Sequence, residues 1–319
     1  MKNNTTMRKI KEFFAVIAVV FLAFNGKTQQ LPMYGQYVFN STIINPAQAG
    51  SSHCGVIGVL GRQQWVGMEG APRTYAAYAN IRLPANLGIA GGLYQDNIGK
   101  IKELNFQVDV AYHLRLSSTW NLGVGIRAQT YGTSIDLTNF QFSDPSDPWY
   151  GAIIENKVFF NTGIGFLLYN PSVFIGFSAP KILRNKFAND VSLGELASEL
   201  HLFTYGGANL SVNEYLVFTP SFLFKYAHKS PLQADLNLVF GYNETLDFGA
   251  MVRSDFYRGL DAVGLLLGIT LGQSVHFGYK YEYPMNHLNL VARQTHEVSL
   301  RYKWCFRRRH QTASPRYFL

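Results

Sequence analysis

The feature that most constrains this chain is a strict alternation of apolar and polar residues over segments of about ten residues. It is clearest in LNFQVDVAYHLRL (104–116), where every second residue from Leu104 to Leu116 is apolar and most of the others are polar. The same alternation recurs in 275–284 and 295–304. A helix would place its apolar residues three or four positions apart, so these segments are predicted to be strands with one apolar face.

Segments of this kind predict fourteen strands in an all-β fold. An even number is typical of single-chain bacterial outer-membrane barrels. Twelve or sixteen strands would also fit, because boundaries read from a sequence can shift by a few residues. The predicted strands are 54–65, 73–83, 87–94, 104–116, 120–136, 157–169, 172–183, 201–212, 215–227, 232–242, 246–254, 262–271, 275–284 and 295–304.

The connections between these segments alternate in length. Even-numbered connections such as 84–86 and 117–119 are very short. Short periplasmic turns and longer external loops are typical of a transmembrane β-barrel, which would leave both termini in the periplasm. The charged residues on the inner face would then line a wet lumen. The longer connections are 66–72, 95–103, 137–156, 184–200, 228–231, 255–261 and 285–294.

Composition supports a β-protein and excludes several classes. Only 15% of the 319 residues are charged, while 15% are aromatic and 29 are Gly, and the mean hydropathy is −0.01. These values fit neither a helical membrane protein nor a disordered chain. The net charge of +8 lies mainly at the two ends of the chain, so no basic groove for nucleic acid is expected.

The N-terminus has the pattern of a secretory signal. A basic stretch (2–11) precedes the apolar run 13–24, which is shorter than the roughly 20 residues of a membrane-spanning helix. Cleavage is expected after Thr28, and the alternative is a retained membrane anchor. The predicted organisation is a signal peptide, an N-terminal periplasmic or plug segment, an outer-membrane barrel and a basic periplasmic tail: 1–28, 29–53, 54–304 and 305–319.

Several motifs, in order along the chain, resemble the PorP/SprF family of type IX secretion system membrane proteins. Two departures are the tail 305–319, since the family usually ends at the final strand, and Gln63, where the family usually has Lys. The matching motifs are YGQYVFNSTIINPAQAGS (34–51), RQQWVGMEGAPRTYAAYANIRLP (62–84), YQDNIGK (94–100), FKYAHKSPLQADLNLVFGY (224–242), FGYKYEYPMNHL (277–288) and HEVSLRYKW (296–304).

The resemblance implies a non-enzymatic outer-membrane barrel that serves type IX secretion and, in some bacteria, gliding motility. The implied partners, besides outer-membrane lipid, are large surface adhesins or other secreted substrates, needed for export or surface retention. Components of the periplasmic secretion ring and a peptidoglycan-binding lipoprotein are further implied partners. No cofactor is implied.

The family motifs supply candidate site residues, each of which has two interpretations. They contact a partner, or they shape turns of the scaffold, as Asn-Pro and Gly-rich stretches commonly do. The long loops 137–156 and 184–200 are the better candidates for partner contact, because loops carry function on barrel scaffolds. The motif residues are Asn45, Pro46, Gly50, Trp65, Gly67, Gly70, Ala71 and Pro72.

Enzymatic and metal chemistry find little support in the sequence. It has no G-x-S-x-G and no H-E-x-x-H motif, although Ser274 and His276 share a strand face. Asp144, Asp147 and Glu155 could bind calcium weakly, but Asp-Pro turns explain the first two better. We therefore expect no enzyme and no metal site.

A channel or hydrophobic-solute transporter is the alternative function. Fourteen strands enclose more space than their own side chains fill, so a plug or a pore is expected. The stretch 31–51 is long and rich in aromatic and aliphatic residues, and part of it is predicted to enter the lumen. Otherwise it would lie along the periplasmic rim.

Two further predictions concern the ends of the barrel. Cys54 and Cys305 begin the first strand and follow the last, and those strands are neighbours in a closed barrel, so a disulfide across the seam is predicted. The alternative is two separate thiols. Arg307, Arg308 and Arg309 would carry positive charge into the periplasm, to contact an acidic partner or lipid headgroups, or would remain solvated.

Overall fold

The computed structural model describes residues 37, 41–136, 153–183, 185, 200–227, 230–257, 259–286 and 293–305. Over these residues the chain forms the predicted closed antiparallel barrel of fourteen strands. They are β1 (Cys54–Gln63), β2 (Arg73–Arg82), β3 (Leu87–Ile98), β4 (Ile101–Arg115), β5 (Asn121–Asp136), β6 (Ile153–Tyr169), β7 (Val173–Ala179), β8 (His201–Ala208 and Leu210–Ser211), β9 (Leu216–Ala227), β10 (Gln233–Tyr242), β11 (Leu246–Asp255), β12 (Gly259–Leu271), β13 (Val275–Pro284) and β14 (Thr295–Cys305).

Each strand pairs with the next along the chain, and β14 closes the barrel by pairing with β1. The closing register runs from Cys54 opposite Cys305 to Gln63 opposite His296. Closure satisfies the backbone groups of every strand without leaving an open edge. Among the described residues, no helix is long and apolar enough to cross a bilayer.

The two faces of each strand follow the alternation in the sequence. On β4, Leu104 and Phe106 point outward and are each 52% exposed, while Asn105 and Asp109 are buried inside the barrel. The same division on the other strands gives the barrel an apolar outer surface, as contact with lipid requires.

The connections lie at two ends of the barrel, which we call the terminal end, where Cys54 and Cys305 lie, and the loop end opposite to it. All connections at the terminal end are short, as predicted. Two of the predicted long loops are wrong. In place of 95–103, β3 and β4 extend to a two-residue turn (99–100), and in place of 255–261 only 256–258 separate β11 from β12. Both corrections have one reason: polar residues near the strand ends still pair across the ladder, as Asn97 does with Lys102.

The interior of the barrel is occupied by the segment before β1. It makes two short 3₁₀ turns, Ser41–Ile43 and Pro46–Gln48, whose residues are all buried. The second turn packs against β4, β5 and β6. This segment, residues 41–52, is called the plug below.

Candidate functional site

Asn45 holds the plug by its side chain. Its Oδ1 accepts a hydrogen bond from the backbone N–H of Ala47 at 2.8 Å and so caps the second 3₁₀ turn. Its Nδ2 donates to the carbonyl oxygen of Phe166 on β6 at 2.9 Å and to the Tyr205 hydroxyl on β8 at 3.0 Å. One side chain therefore both shapes the turn and fixes it to the barrel wall.

Backbone carbonyls of the plug are bound by side chains from the wall. Arg127 on β5 donates to the carbonyls of Thr42 and Ile43, and its guanidinium also pairs with Asp109 on β4 at 2.7 Å. Ser178 lies on the inward face of β7, and its hydroxyl donates to the carbonyl oxygen of Ile44 at 2.7 Å. These bonds satisfy buried carbonyls that the short turns leave without partners.

Inward-facing glycines give the plug the space that it occupies. A Cβ on Gly165 would lie 1.9 Å from the Asn45 Oδ1, and one on Gly125 would lie 2.4 Å from the backbone of Pro46 and Ala47. On β3, a Cβ at Gly88 would lie 2.0 Å from the Ala49 carbonyl oxygen. At Gly88 and Gly125 the backbones of plug and wall therefore approach too closely for any side chain, and Gly165 makes room for the side chain of Asn45.

The last part of the plug is bound near the terminal end. The N–H of Gly50, which has a φ of +66°, donates to Asn80 Oδ1 on β2 at 2.7 Å. The carbonyl oxygen of Ala49 accepts a hydrogen bond from His113 Nε2 at 2.7 Å, and His113 Nδ1 lies 3.1 Å from the Tyr169 hydroxyl. With Ala49's carbonyl as acceptor, His113 carries its proton on Nε2.

Another part of the interior holds a chain of buried ion pairs. Arg62 on β1 bridges Glu297 at 2.6 Å and Glu282 at 2.8 Å. Arg253 then joins Glu282 to Asp235 at 3.2 and 2.8 Å. The chain links β1 to strands β10, β11, β13 and β14 across the seam.

The ion-pair chain continues at both sides and contacts the N-terminal segment. Lys280 pairs with Glu282 at 2.9 Å and Lys225 with Asp235 at 2.8 Å. Tyr37, fully buried, accepts a short hydrogen bond from Asn237 beside this chain. Burial raises the pKa of the Tyr37 phenol well above its usual value, so the group is neutral.

The predicted wet lumen is wrong for these inward-facing charges. Arg62, Lys280 and Glu297 are between 0% and 3% exposed. The ion pairs and the plug keep them from solvent, and charges at such depth are stable only because each has an opposite charge within contact distance.

The structure places the candidate motif residues in two separate groups. Asn45, Pro46 and Gly50 belong to the plug, whereas the remaining five lie in the first loop-end connection, 64–72. In the first group Asn45 and Pro46 do form a turn, as one interpretation predicted, but that turn is inside the lumen. The five others are Trp65, Gly67, Gly70, Ala71 and Pro72.

The first loop-end connection is shaped by unusual backbone angles. Trp65, Gly67 and Gly70 have φ values of +46°, +94° and +70°. The carbonyl oxygen of Gly70 accepts from the N–H of Gly99 at 2.8 Å, and the N–H of Val66 donates to the Gln294 carbonyl at 3.0 Å. The connection thus joins its neighbours on both sides, and its last two residues, Ala71 and Pro72, are buried.

At the terminal end, Cys54 and Cys305 are joined by a disulfide with a Cα–Cα distance of 4.2 Å. Cys305 is the last residue of β14. The arginines of the tail, Arg307 to Arg309, lie outside the described residues. Most of the loops 137–156 and 184–200 lies outside them too.

Two features of the plug were not predicted from the sequence: the inward-facing glycines that it packs against, and the wall residues that bind it. Glycine in a strand signals close backbone approach, and Gly88, Gly125 and Gly165 each fall at an inward position of the alternation. That signal was present but names no partner.

His276, which shares a strand face with Ser274 in the sequence prediction, bonds to Asp247 at 3.1 Å. Within the described ranges no three His, Cys, Asp or Glu side chains are grouped to hold a metal ion.

Comparison with known proteins gives the family. The profile of the type IX secretion system membrane protein PorP/SprF matches residues 26–302. The chain belongs to the PorP/SprF family. It is therefore an outer-membrane β-barrel of the type IX secretion system. No curated protein matches the chain.

Solved structures that resemble this PorP/SprF chain are outer-membrane barrels of low sequence identity. The CymD monoaromatic hydrocarbon channel is 10% identical, with a TM-score of 0.51, over 88% of this chain and 95% of that one. A FadL homologue of Pseudomonas aeruginosa is 10% identical, with a TM-score of 0.51, over 87% and 95% of the two chains. At this identity the likeness concerns the fold alone.

Proposed function

We propose that this barrel serves type IX secretion as a closed scaffold, which holds large secreted proteins or adhesins at the outer membrane for their export or surface retention. It acts by binding proteins at its two ends and catalyses no reaction. In bacteria that glide, the same role would support motility.

The observation that carries the proposal is the plug. Wall residues of six strands, β2 and β4 to β8, bind it by hydrogen bonds, and glycines of β3, β5 and β6 fit closely against it. A barrel whose interior is filled by its own chain offers partners its ends and its outer surface. A filled interior favours a function that depends on contact with other proteins over one that depends on passage of solutes through the barrel.

The orientation of the barrel in the membrane follows from the rule that outer-membrane barrels have short periplasmic turns and longer external loops. The terminal end faces the periplasm, where secretion-ring components and a peptidoglycan-binding lipoprotein would bind. The tail arginines, Arg307 to Arg309, would contribute to this contact. The loop end faces outward, where residues 137–152 and 184–200 would contact an adhesin. An N-terminal signal peptide, cleaved after Thr28, would bring the chain to this membrane.

The experiment is a mild-detergent pull-down of the tagged full chain from its own organism, analysed by mass spectrometry. One variant has residues 186–198 replaced by a short Gly-Ser linker, and a control variant exchanges the exposed turn residue Asn213 for Ala. We expect one dominant large surface protein with the intact chain and the control, and its loss with the loop variant. Recovery of no large partner from the intact chain contradicts the proposal.

The alternative, a channel for hydrophobic solutes, is supported by a cavity at the loop end, lined partly by Ile44, Phe203 and Leu223. Deleting the gene separates the two functions. A secretion scaffold predicts that large proteins disappear from the cell surface, while uptake of aromatic and aliphatic solutes is unchanged. A channel predicts the reverse.

A further inference from the structure

A cavity lies between the plug and the loop end of the barrel. Its floor is formed by Ile43 and Ile44 of the plug, and its accessible space is about 60 Å³. Phe203 on β8 and Leu223 on β9 extend the apolar part of the wall. Apolar side chains on floor and wall favour an apolar group of small size.

Three cations line the same cavity: Arg127, Lys181 and Lys225. None of its described lining residues is Asp or Glu. The carboxylates that balance the two lysines lie outside the lining: Glu103 is 3.2 Å from Lys181, and Asp235 is 2.8 Å from Lys225. A ligand in the cavity would therefore contact the cations directly.

The two lysines are the adaptable members of this set. Arg127 already binds Asp109 and two plug carbonyls. An ammonium group has three N–H donors, and Lys181 gives one to Glu103 while its Nζ also lies 4.4 Å from the ring centre of Tyr131. Lys181 is 5% exposed, so a carboxylate that reached it would be largely withdrawn from water, where charge-assisted hydrogen bonds are strong.

We propose that this cavity binds a carboxylate carried on a small apolar stem, with the apolar stem on Ile43, Ile44 and Phe203 and the carboxylate on Lys181 and Lys225. The chemistry is shared by two sources, a free short-chain alkyl acid and the carboxyl end of a peptide whose last side chain is small and apolar. The site goes beyond the scaffold function, since it needs only the barrel and its plug.

The test is calorimetric titration of the purified full chain in detergent with propionate, and with propionamide as the uncharged match. Two tetrapeptides ending in Ala, one with a free and one with an amidated carboxyl end, form the second arm. Loss of a charge-assisted hydrogen bond typically weakens binding about tenfold or more, so each acid should bind at least about tenfold more tightly than its amide. The arm with the higher affinity identifies the source.

Two variants locate the site. Lys181→Met and Lys225→Met should each weaken acid binding about tenfold while leaving amide binding unchanged. Both should fold, because Glu103 stays partly exposed and Asp235 keeps Arg253 as its partner. Lys102→Met, at an exposed position of β4 outside the cavity, is the matched control and should bind as the parent does. Heat-modifiable migration on gels checks that every variant is a folded barrel.

Equal affinity for acid and amide in both arms overturns the proposal, as does the absence of acid binding at millimolar concentration. Unchanged affinity in both lysine variants also overturns it. These outcomes are independent of the pull-down, because a chain that recovers its large partner can still fail to bind either acid.

Discussion

At the scale of single residues, the interior of this barrel depends on positions that have no side chain. Gly88, Gly125 and Gly165 lie where an alternating strand would normally carry an inward-facing side chain. Gly88 and Gly125 leave room for backbone atoms of the plug, which come within 2.0 to 2.4 Å of the place where a Cβ would be, and Gly165 leaves room for the Asn45 side chain. Because the contact at Gly88 and Gly125 is backbone to backbone, it has little freedom to relax around a larger residue.

Gly125→Val should therefore displace the plug. Overpacking of this kind costs about 1–3 kcal/mol, and here it acts on the backbone of Pro46 and Ala47. We expect faster proteolysis of the N-terminal segment and a lower midpoint of heat modification. Gly132→Val, on the same strand with nothing within 4 Å of its Cβ position, is the control and should match the parent. Equal effects of the two substitutions would show that the plug does not depend on close contact with Gly125.

Asn45 tests the polar part of the same contact. Asn45→Ala removes a cap and two donor contacts, so it should lower the stability of the seated plug by about 2–3 kcal/mol. Asn45→Asp keeps the cap but puts a buried carboxylate against the Phe166 carbonyl oxygen, and should be at least as damaging. Urea titration of plug proteolysis measures both.

Asn213 provides the matched control for Asn45. Its Oδ1 accepts from the N–H groups of Tyr215 and Leu216 in an exposed turn, without contacts to the lumen. Asn213→Ala should cost about 1 kcal/mol or less. A loss at Asn45 no larger than this would mean that only its local capping matters.

At the scale of elements, sequence periodicity predicted most strands, since a strand in this barrel has one lipid-facing side. The bounds of β4, β5 and β13 are within three residues of the prediction. Three strands depart further: β6 begins four residues before its predicted start, β7 ends four residues before its predicted end, and β3 runs four residues past its predicted end. At the end of β3, QDNIGK has too many polar residues to be distinguished from a loop. In the structure Asp96 faces inward and accepts from Thr74 at 2.6 Å, so the alternation continues with polar residues on both faces.

The plug shows why the rest could not be predicted. Its aromatic and aliphatic residues indicated burial, and Asn45-Pro46 indicated a turn. Its partners Arg127, Ser178 and Tyr205 are far away in sequence, and nothing local specifies such pairing. Only the closed barrel brings these residues to one place.

The barrel seam leads to a prediction about elements. The disulfide links the first residue of β1 to the last of β14 across 251 residues of chain. We expect denatured, unreduced protein to show no reactive thiols, and reduced protein to show two. The double variant Cys54→Ser/Cys305→Ser should lose about 5 kcal/mol of unfolding free energy, because the bond restricts the unfolded chain.

The single variant Cys54→Ser is the control, because it also removes the disulfide but leaves the thiol of Cys305. Its stability should equal that of the double variant. Two reactive thiols in the unreduced parent would show that the bond does not form.

At the scale of the whole molecule, the barrel has two kinds of interior. Strands β2 to β8 hold the plug. The ion-pair chain from Glu297 through Arg62 to Lys225 is carried by β1, β9, β10, β11, β13 and β14. The plug is a separate segment that can be deleted, whereas the ion pairs belong to the wall itself. Removing the plug should therefore open the lumen without opening the barrel.

Single-channel conductance in planar bilayers tests this division. The intact chain should conduct little, and a chain that lacks residues 29–52 should conduct about tenfold more or higher, because fourteen strands enclose more space than their side chains fill. The remaining ion pairs narrow the opened pore, so its conductance should stay below that of an empty barrel of the same size. Truncation after Cys305 removes chain at the other terminus, leaves the plug in place and should not change the conductance. An intact chain that conducts as well as the plug deletion would show that the lumen is open, and would favour solute passage over the scaffold.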